Sequence, residues 1–309
     1  MAGFRLQTSI GIAPGGRPAA ACEISPTGVM AAATAAPGAA PAFGSETLAP
    51  DTVMPGLLEG NLPDQPAVSA AIRAALGRVQ PRTKSITVVV PDSAVRVFVL
   101  DFDTLPARLE EALPVLRFRL RKSVPFDVEH AGISYQVLSE GSSRLETQWK
   151  VLAAVTPGPV LAEYESVVRA AGYEPGAVLP TSLATLAAID SQEAVLVVNL
   201  SERAMTTTIV AGNDILLYRT VELPPEPEAH QGEVQRAIAV AAAFFEDRLQ
   251  VRPHRILYAG VLPVHEFAEL VDDPAMAVGE VAPRPAIGMA SAMGQQSVAG
   301  VTGALAGTN

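Results

Sequence analysis

A chain of 309 residues, 49% of them hydrophobic, is long enough for two modest domains that fold by burying apolar surface. Its formal charge of -10 argues against a sequence-independent grip on nucleic acid and against broad adhesion to anionic lipid, since both draw their affinity from Lys and Arg. The lone cysteine, Cys22, excludes an intramolecular disulfide, and no apolar run approaches the roughly 20 residues of a membrane span, so a cytoplasmic protein is expected.

Two stretches share one plan, a strand, a tight turn and two more strands. The first covers residues 6–35 with the turn Ala13-Pro14-Gly15-Gly16-Arg17; the second covers 195–223 with the turn Asn199-Leu200-Ser201-Glu202-Arg203. Between them, the Pro, Ala and Gly-rich interval 36–55 reads as a surface loop, and 65–79 as an amphipathic helix with Val68, Ile72, Leu76 and Val79 on one face. Residues 86–90 predict a buried strand, Pro91-Asp92-Ser93 a turn, and 95–100 its hairpin partner. Thr104 is placed to cap the next helix, which Pro114 should kink or split. Strands at 132–138 and 149–155, a helix over 159–171 and a short helix over 181–189 lead to the second half. There a three-stranded meander is followed by a long helix ending near Leu249, a strand at 256–258 and a closing helix of small residues at 298–305.

This order is α/β. It implies two lobes of duplicated design with a small α/β insert. Residues 1–84 form the start of the first lobe, 85–156 the inserted subdomain, and 157–191 helices completing that lobe. Residues 192–309 form the second lobe, with its last helix free to return to the first.

Little in the chain suggests turnover. His130, His230, His254 and His265 are scattered, without the spacing of a zinc site. Asp101 and Asp103 alternate on a strand end as solvated carboxylates, and Ser9 and Ser201 have no neighbouring base. Arg117, Arg119, Arg121 and Lys122 crowd the end of one helix, where they complement its dipole.

The stretch from Gly11 through Ala13, Gly15, Gly16 and Ala20 to Glu23 resembles the opening of the PilM family, the actin-like proteins of type IV pilus assembly. So does Phe-Arg-Leu-Arg-Lys-Ser-Val-Pro-Phe-Asp-Val-Glu at 118–129, followed by the strand Ile133-Ser134-Tyr135-Gln136-Val137-Leu138. Laid on this chain without a gap, the family's first-turn Asp falls on Ala13, its Lys on Ala20 and a later Glu on Glu23. In the second turn Asn199 and Ser201 stand where nucleotide-binding members carry Asp and Gly. Ala259-Gly260-Val261 stands where a Gly-rich adenosine turn is expected.

The resemblance implies a two-lobed actin-like fold, of the actin, Hsp70 and sugar-kinase superfamily. Its nucleotide site is degenerate, built from Gly15, Gly16, Asn199, Ser201 and Gly260. No catalytic residue, no metal and no cofactor is expected, ATP with magnesium included, because the charged groups that hold a metal nucleotide are replaced. It further implies a scaffold, peripheral at the inner membrane, that holds the cytosolic tail of a bitopic PilN-like protein and connects it to pilus motor or platform components. Self-association is left open, and contact with the membrane runs through partners. The tail is expected beside the insert, at Arg119, Arg121, Lys122, Pro125 and Phe126, although Phe126 could equally plug the core of the insert. An actin-like ATPase or small-molecule kinase, and the L protein of type II secretion, are the alternatives.

Overall fold

The computed structural model describes residues 18–36, 39–139, 149–191, 193–212, 214–224, 226–283 and 297–306. Its frame is a pair of five-stranded sheets with one shared strand order. In the first, β1 (Ala20–Ser25), β2 (Gly28–Ala33) and β3 (Ala42–Thr47) form an antiparallel meander, and β4 (Ser85–Val90) and β8 (Glu174–Pro180) add in parallel to give β3-β2-β1-β4-β8. In the second, β9 (Val195–Leu200), β10 (Ala204–Ala211) and β11 (Asp214–Glu222) repeat the meander. There β12 (Arg255–Gly260) and β13 (Ala277–Glu280) are the parallel additions, giving β11-β10-β9-β12-β13. Central strands such as Val-Leu-Val-Val-Asn-Leu in β9 are apolar on both faces because helices cover both.

Alternation along β1 sorts its side chains between two layers. Ala20, Cys22 and Ile24 share a core with Ile72 and Leu76 of α1 (Gln65–Val79) and Tyr164 and Val168 of α3 (Gly158–Ala170). Ala21 faces the other way, into a cluster with Ala184 of α4 (Thr181–Leu186) and Ala304 of α7 (Ala299–Leu305). The last described helix therefore returns to the first lobe. On the second sheet, Phe245 of α5 (His230–Leu249) and Phe267 of α6 (Val264–Val271) cover Tyr258, whose ring stacks on Phe267 at 4.0 Å.

The insert is a three-stranded antiparallel sheet of order β5-β7-β6, made of β5 (Arg96–Phe102), β6 (Gly132–Ser139) and β7 (Trp149–Thr156), with α2 (Leu109–Leu120) packed on it through Leu116 and Leu120. Its Leu152 also joins Leu183 and Leu186 of α4 and Val195 and Leu257 of the second lobe in one apolar cluster.

Several expectations are corrected. The first meander lies at 20–47 rather than 6–35, and its opening turn is Pro26-Thr27; β3 falls inside the interval expected as loop. The turn holding Ala13, Gly15 and Gly16 lies outside the described residues. Strand β4 belongs to the lobe and not to the insert. It is buried on both faces and pairs in parallel with β1 and β8, so β5 takes β7 as its partner instead. The insert accordingly starts after the 3-10 turn Asp92–Ala94, and the segment expected as helices alone contains β8. Helix α2 runs uninterrupted through the exposed Pro114, and its N-cap is Arg108 rather than Thr104.

Candidate functional site

The shared sheet order brings the C-terminal ends of β1 and β9 to one cleft between the lobes, and each strand ends in the same serine turn. Ser25 Oγ donates to the Gly28 carbonyl at 2.9 Å, and the Gly28 N–H returns to it at 3.3 Å. Ser201 Oγ and the Ala204 backbone make the same reciprocal pair at 3.0 Å each. Two residues before each serine stand Glu23 and Asn199, paired across their hairpins with Met30 and Thr206. The internal repeat thus sets Glu23 opposite Asn199 and Ser25 opposite Ser201. Ala13, where the gapless family frame puts its acidic residue, lies outside the described residues. Ala20 itself is a buried strand residue paired with Ala33, unable to reach a phosphate.

Between the turns lies a cavity of about 60 Å³ whose walls include Glu23, Met30, Asp92, Asn199, Glu202 and Gly260. Of the expected nucleotide residues, Asn199, Ser201 and Gly260 are brought together here. Gly260 is required by packing: a Cβ there would press on the Tyr258 hydroxyl and the Leu200 carbonyl.

Sequence reasoning missed the carboxylates. Burial pushes Glu23 up to about 8; a hydrogen bond from Thr181 opposes this, and the like charges of Asp92 and Glu202 add to it. Asp92 is also raised by burial, against the pull of its donors. These are the Ser182 N–H at 2.9 Å, Ser182 Oγ at 2.8 Å and Thr206 Oγ1 at 2.9 Å. Ser182 Oγ in turn meets the Tyr218 hydroxyl. Asn199 fits best with its amide nitrogen donating to the Ala259 carbonyl at 2.9 Å and its oxygen accepting from the Ser182 N–H at 3.1 Å. One oxygen of Glu23 and both of Glu202 are buried with no hydrogen-bond partner. The repeated Ser-x-x-Gly/Ala turn was the signal that could have located Glu23.

In the described lining, nucleotide phosphates would meet carboxylates and no cationic side chain. Phosphates need cations or amides, and the wall contains Glu23, Asp92 and Glu202 with no Lys, Arg or His. The space suffices for a few waters, at about 15 Å³ each. Among the described residues no group of three or more His, Cys, Asp or Glu could hold a metal.

The second expected site, at the end of α2, is a compact turn. Arg117 Nε donates to the Val128 carbonyl at 3.1 Å, Arg121 pairs with Glu129 at 2.7 Å, and His130 meets Asp127 at 2.8 Å. Phe126 is half-buried against the core of the insert, whereas Arg119, Arg121, Lys122 and Pro125 are exposed. Arg119, Arg121, Lys122, Pro125 and Phe126 thus share one corner, but the aromatic faces inward.

No protein-family model matches the chain, and no curated protein matches its sequence. Solved structures do match. A PilM-PilN type IV pilus biogenesis complex is similar over 94% of this chain and 98% of that one, with a TM-score of 0.71 at 17% identity. A Bacteroides thetaiotaomicron protein with an actin-like ATPase fold and unknown function is similar over 96% and 98%, with a TM-score of 0.52 at 9% identity. The cytoplasmic domain of EpsL, an inner membrane component of the type II secretion system of Vibrio cholerae, is similar over 89% and 92%, with a TM-score of 0.50 at 13% identity. At such identities the likeness is one of fold, and the chain has the actin-like fold.

Proposed function

We propose that the chain is a non-catalytic scaffold of a type IV pilus-like inner-membrane assembly complex, holding the cytosolic tail of a bitopic PilN-like partner. The observation that carries the reading is the likeness to a PilM-PilN complex over nearly the whole of both chains. The cleft supports it, because a phosphate would meet Glu23, Asp92 and Glu202 with no facing cation in the described wall. The scaffold works by recognition, at the cytoplasmic side of the inner membrane, and reaches that membrane through its partner. In keeping with this, no helix among the described residues is long and apolar enough to cross a membrane.

The chain used as bait on detergent-solubilised membranes of its host should recover a short bitopic protein, and a synthetic peptide of that protein's cytosolic tail should bind the purified chain. Recovery of an L-protein partner of type II secretion instead would favour the second reading, which the likeness to the EpsL cytoplasmic domain supports. Calorimetry with ATP and magnesium should show no saturable binding. Micromolar affinity or turnover above background would overturn the non-catalytic part.

A further inference from the structure

The cleft between the lobes contains acceptor oxygens that the described chain leaves unused. Asp92 has both of its own engaged, Oδ1 by the Ser182 N–H and hydroxyl and Oδ2 by Thr206 Oγ1. Its neighbours are not so supplied. Oε2 of Glu23, both carboxylate oxygens of Glu202 and Oγ1 of Thr185 are buried without a hydrogen-bond partner among the described residues. All three residues line the cavity, and Thr185 is 0% exposed. Buried acceptors without donors are costly, and a bound donor recovers that cost.

The chemistry of the wall selects the donor. With Glu23, Asp92 and Glu202 and no Lys, Arg or His in the lining, an anion is repelled and a cation attracted. A hard metal ion is the wrong cation, since calcium takes about six to eight oxygens and among the described residues no group of three or more His, Cys, Asp or Glu could hold a metal. Size narrows the choice further: about 60 Å³ at about 15 Å³ per water-sized group admits about four non-hydrogen atoms. Guanidinium has that size, and so has a short alkylammonium. Thr27, exposed and on the wall, stands at the open side.

We propose that the cleft binds a small organic cation, a guanidine or a primary amine, whose N–H groups are shared between Glu23 of the first lobe, Glu202 of the second and Thr185 of α4. Because Glu23 lies on β1 and Glu202 follows β9, the ligand ties one lobe to the other and should raise the melting temperature. Burial, with the facing carboxylates of Asp92 and Glu202, pushes Glu23 up to about 8. On its own strand the thiol of Cys22, itself pushed up to about 12, stands next to it, while Thr181 and Thr185 of α4 and Gly300 of α7 bring no charge. At neutral pH the cation therefore displaces a proton, and affinity should rise from about pH 6 to about pH 9.

Isothermal calorimetry on the purified full chain tests this without any pilus partner, so its outcome is separate from that of the scaffold reading. Guanidinium and propylammonium chlorides are titrated in separate arms at constant ionic strength, and the tighter binder names the ligand class. That binder should saturate one site with a dissociation constant of about 0.1–10 mM, as suits so few atoms, and release up to about one proton at pH 7, read from buffers of unlike ionisation heat. Tetramethylammonium, a cation without N–H groups, should not bind. Glu202→Gln should weaken binding at least about tenfold and Thr185→Val about threefold, in variants that melt as folded proteins. Glu59→Gln, at an exposed acid outside the cleft, should bind as the parent does, which separates the site from general attraction to a chain of charge -10. Failure of both cations to saturate, equal binding of tetramethylammonium, or parent affinity in folded Glu202→Gln and Thr185→Val would overturn the proposal.

Discussion

Gly300, in the first turn of α7, lies directly against the carboxylate of Glu23 on β1, with no room for a side chain between them. One turn on, Gly303 presses in the same way on the Ala184 carbonyl of α4. The small residues of α7 let the helix close the floor of the interlobe cleft over an acidic side chain. The last described helix thereby ties β1, α4 and the cleft into one unit.

These glycines should differ in what a methyl group costs. At Gly303 the obstacle is backbone, so Gly303→Ala should destabilise by about 2–3 kcal/mol or prevent folding. At Gly300 the obstacle is the end of a side chain that can swing, so Gly300→Ala should cost about 1 kcal/mol. Urea unfolding of the two variants decides, and a reversed order would show that α7 is not held as described.

Glu23 should make stability fall with rising pH. Its folded pKa of about 8 lies above the ordinary value of 4.5, so between those values the folded chain keeps a proton that the unfolded chain has lost. Stability is therefore lost across that window, by about 1.4 kcal/mol per unit at most, and levels off above it. Glu23→Gln should flatten the slope and be more stable than the parent above about pH 8. Asp92, raised in the same direction, leaves a remainder of the slope in the variant. Parallel pH curves for the two proteins would show that Glu23 titrates normally.

Much of this architecture was readable from hydrophobic runs. The second meander, α1, α5 and β12 stand where periodicity puts them, and Asn199 and Ser201 follow from the meander. The first meander was not, because β2 is Gly-Val-Met-Ala-Ala-Ala and alanine carries little strand signal, while Pro14-Gly15-Gly16 is a strong turn signal in the sequence. That shift hid Glu23. Asp92 was hidden for another reason: it reads as a turn residue, and only the parallel pairing of β4 beside β1 carries it to the cleft. Glu202 stood in plain view as a turn residue, but nothing in the sequence places its carboxylate in one lining with Glu23 and Asp92.

Asp92 should act as a clasp between the lobes. It follows β4 of the first lobe, yet it accepts from Thr206 on β10 of the second as well as from Ser182. Asp92→Ala would strand these donors in a buried setting and should cost about 2–4 kcal/mol, with faster amide exchange at β10 and α4. Asp92→Asn keeps one acceptor oxygen and should cost less. Equal stability of the alanine variant and the parent would rule out the clasp.

Phe126 tests the docking surface for the PilN-like tail. The ring is half-buried with Val124 against the core that holds Leu116 and Leu120, so truncation removes packing as well as any contact with a partner. Phe126→Ala should cost about 1–3 kcal/mol, below the loss for a fully buried aromatic, and weaker tail binding in that variant alone would be ambiguous. Arg121 is the cleaner probe. Its pair with Glu129 joins side chains 62% and 52% exposed, and such pairs contribute at most about 1 kcal/mol, so Arg121→Ala should keep the parent's melting temperature. A several-fold loss of tail affinity in Arg121→Ala, measured by titration of the tail peptide into folded protein, is the expected result. Unchanged affinity in both variants would remove this turn from the docking surface and return Phe126 to a purely structural role.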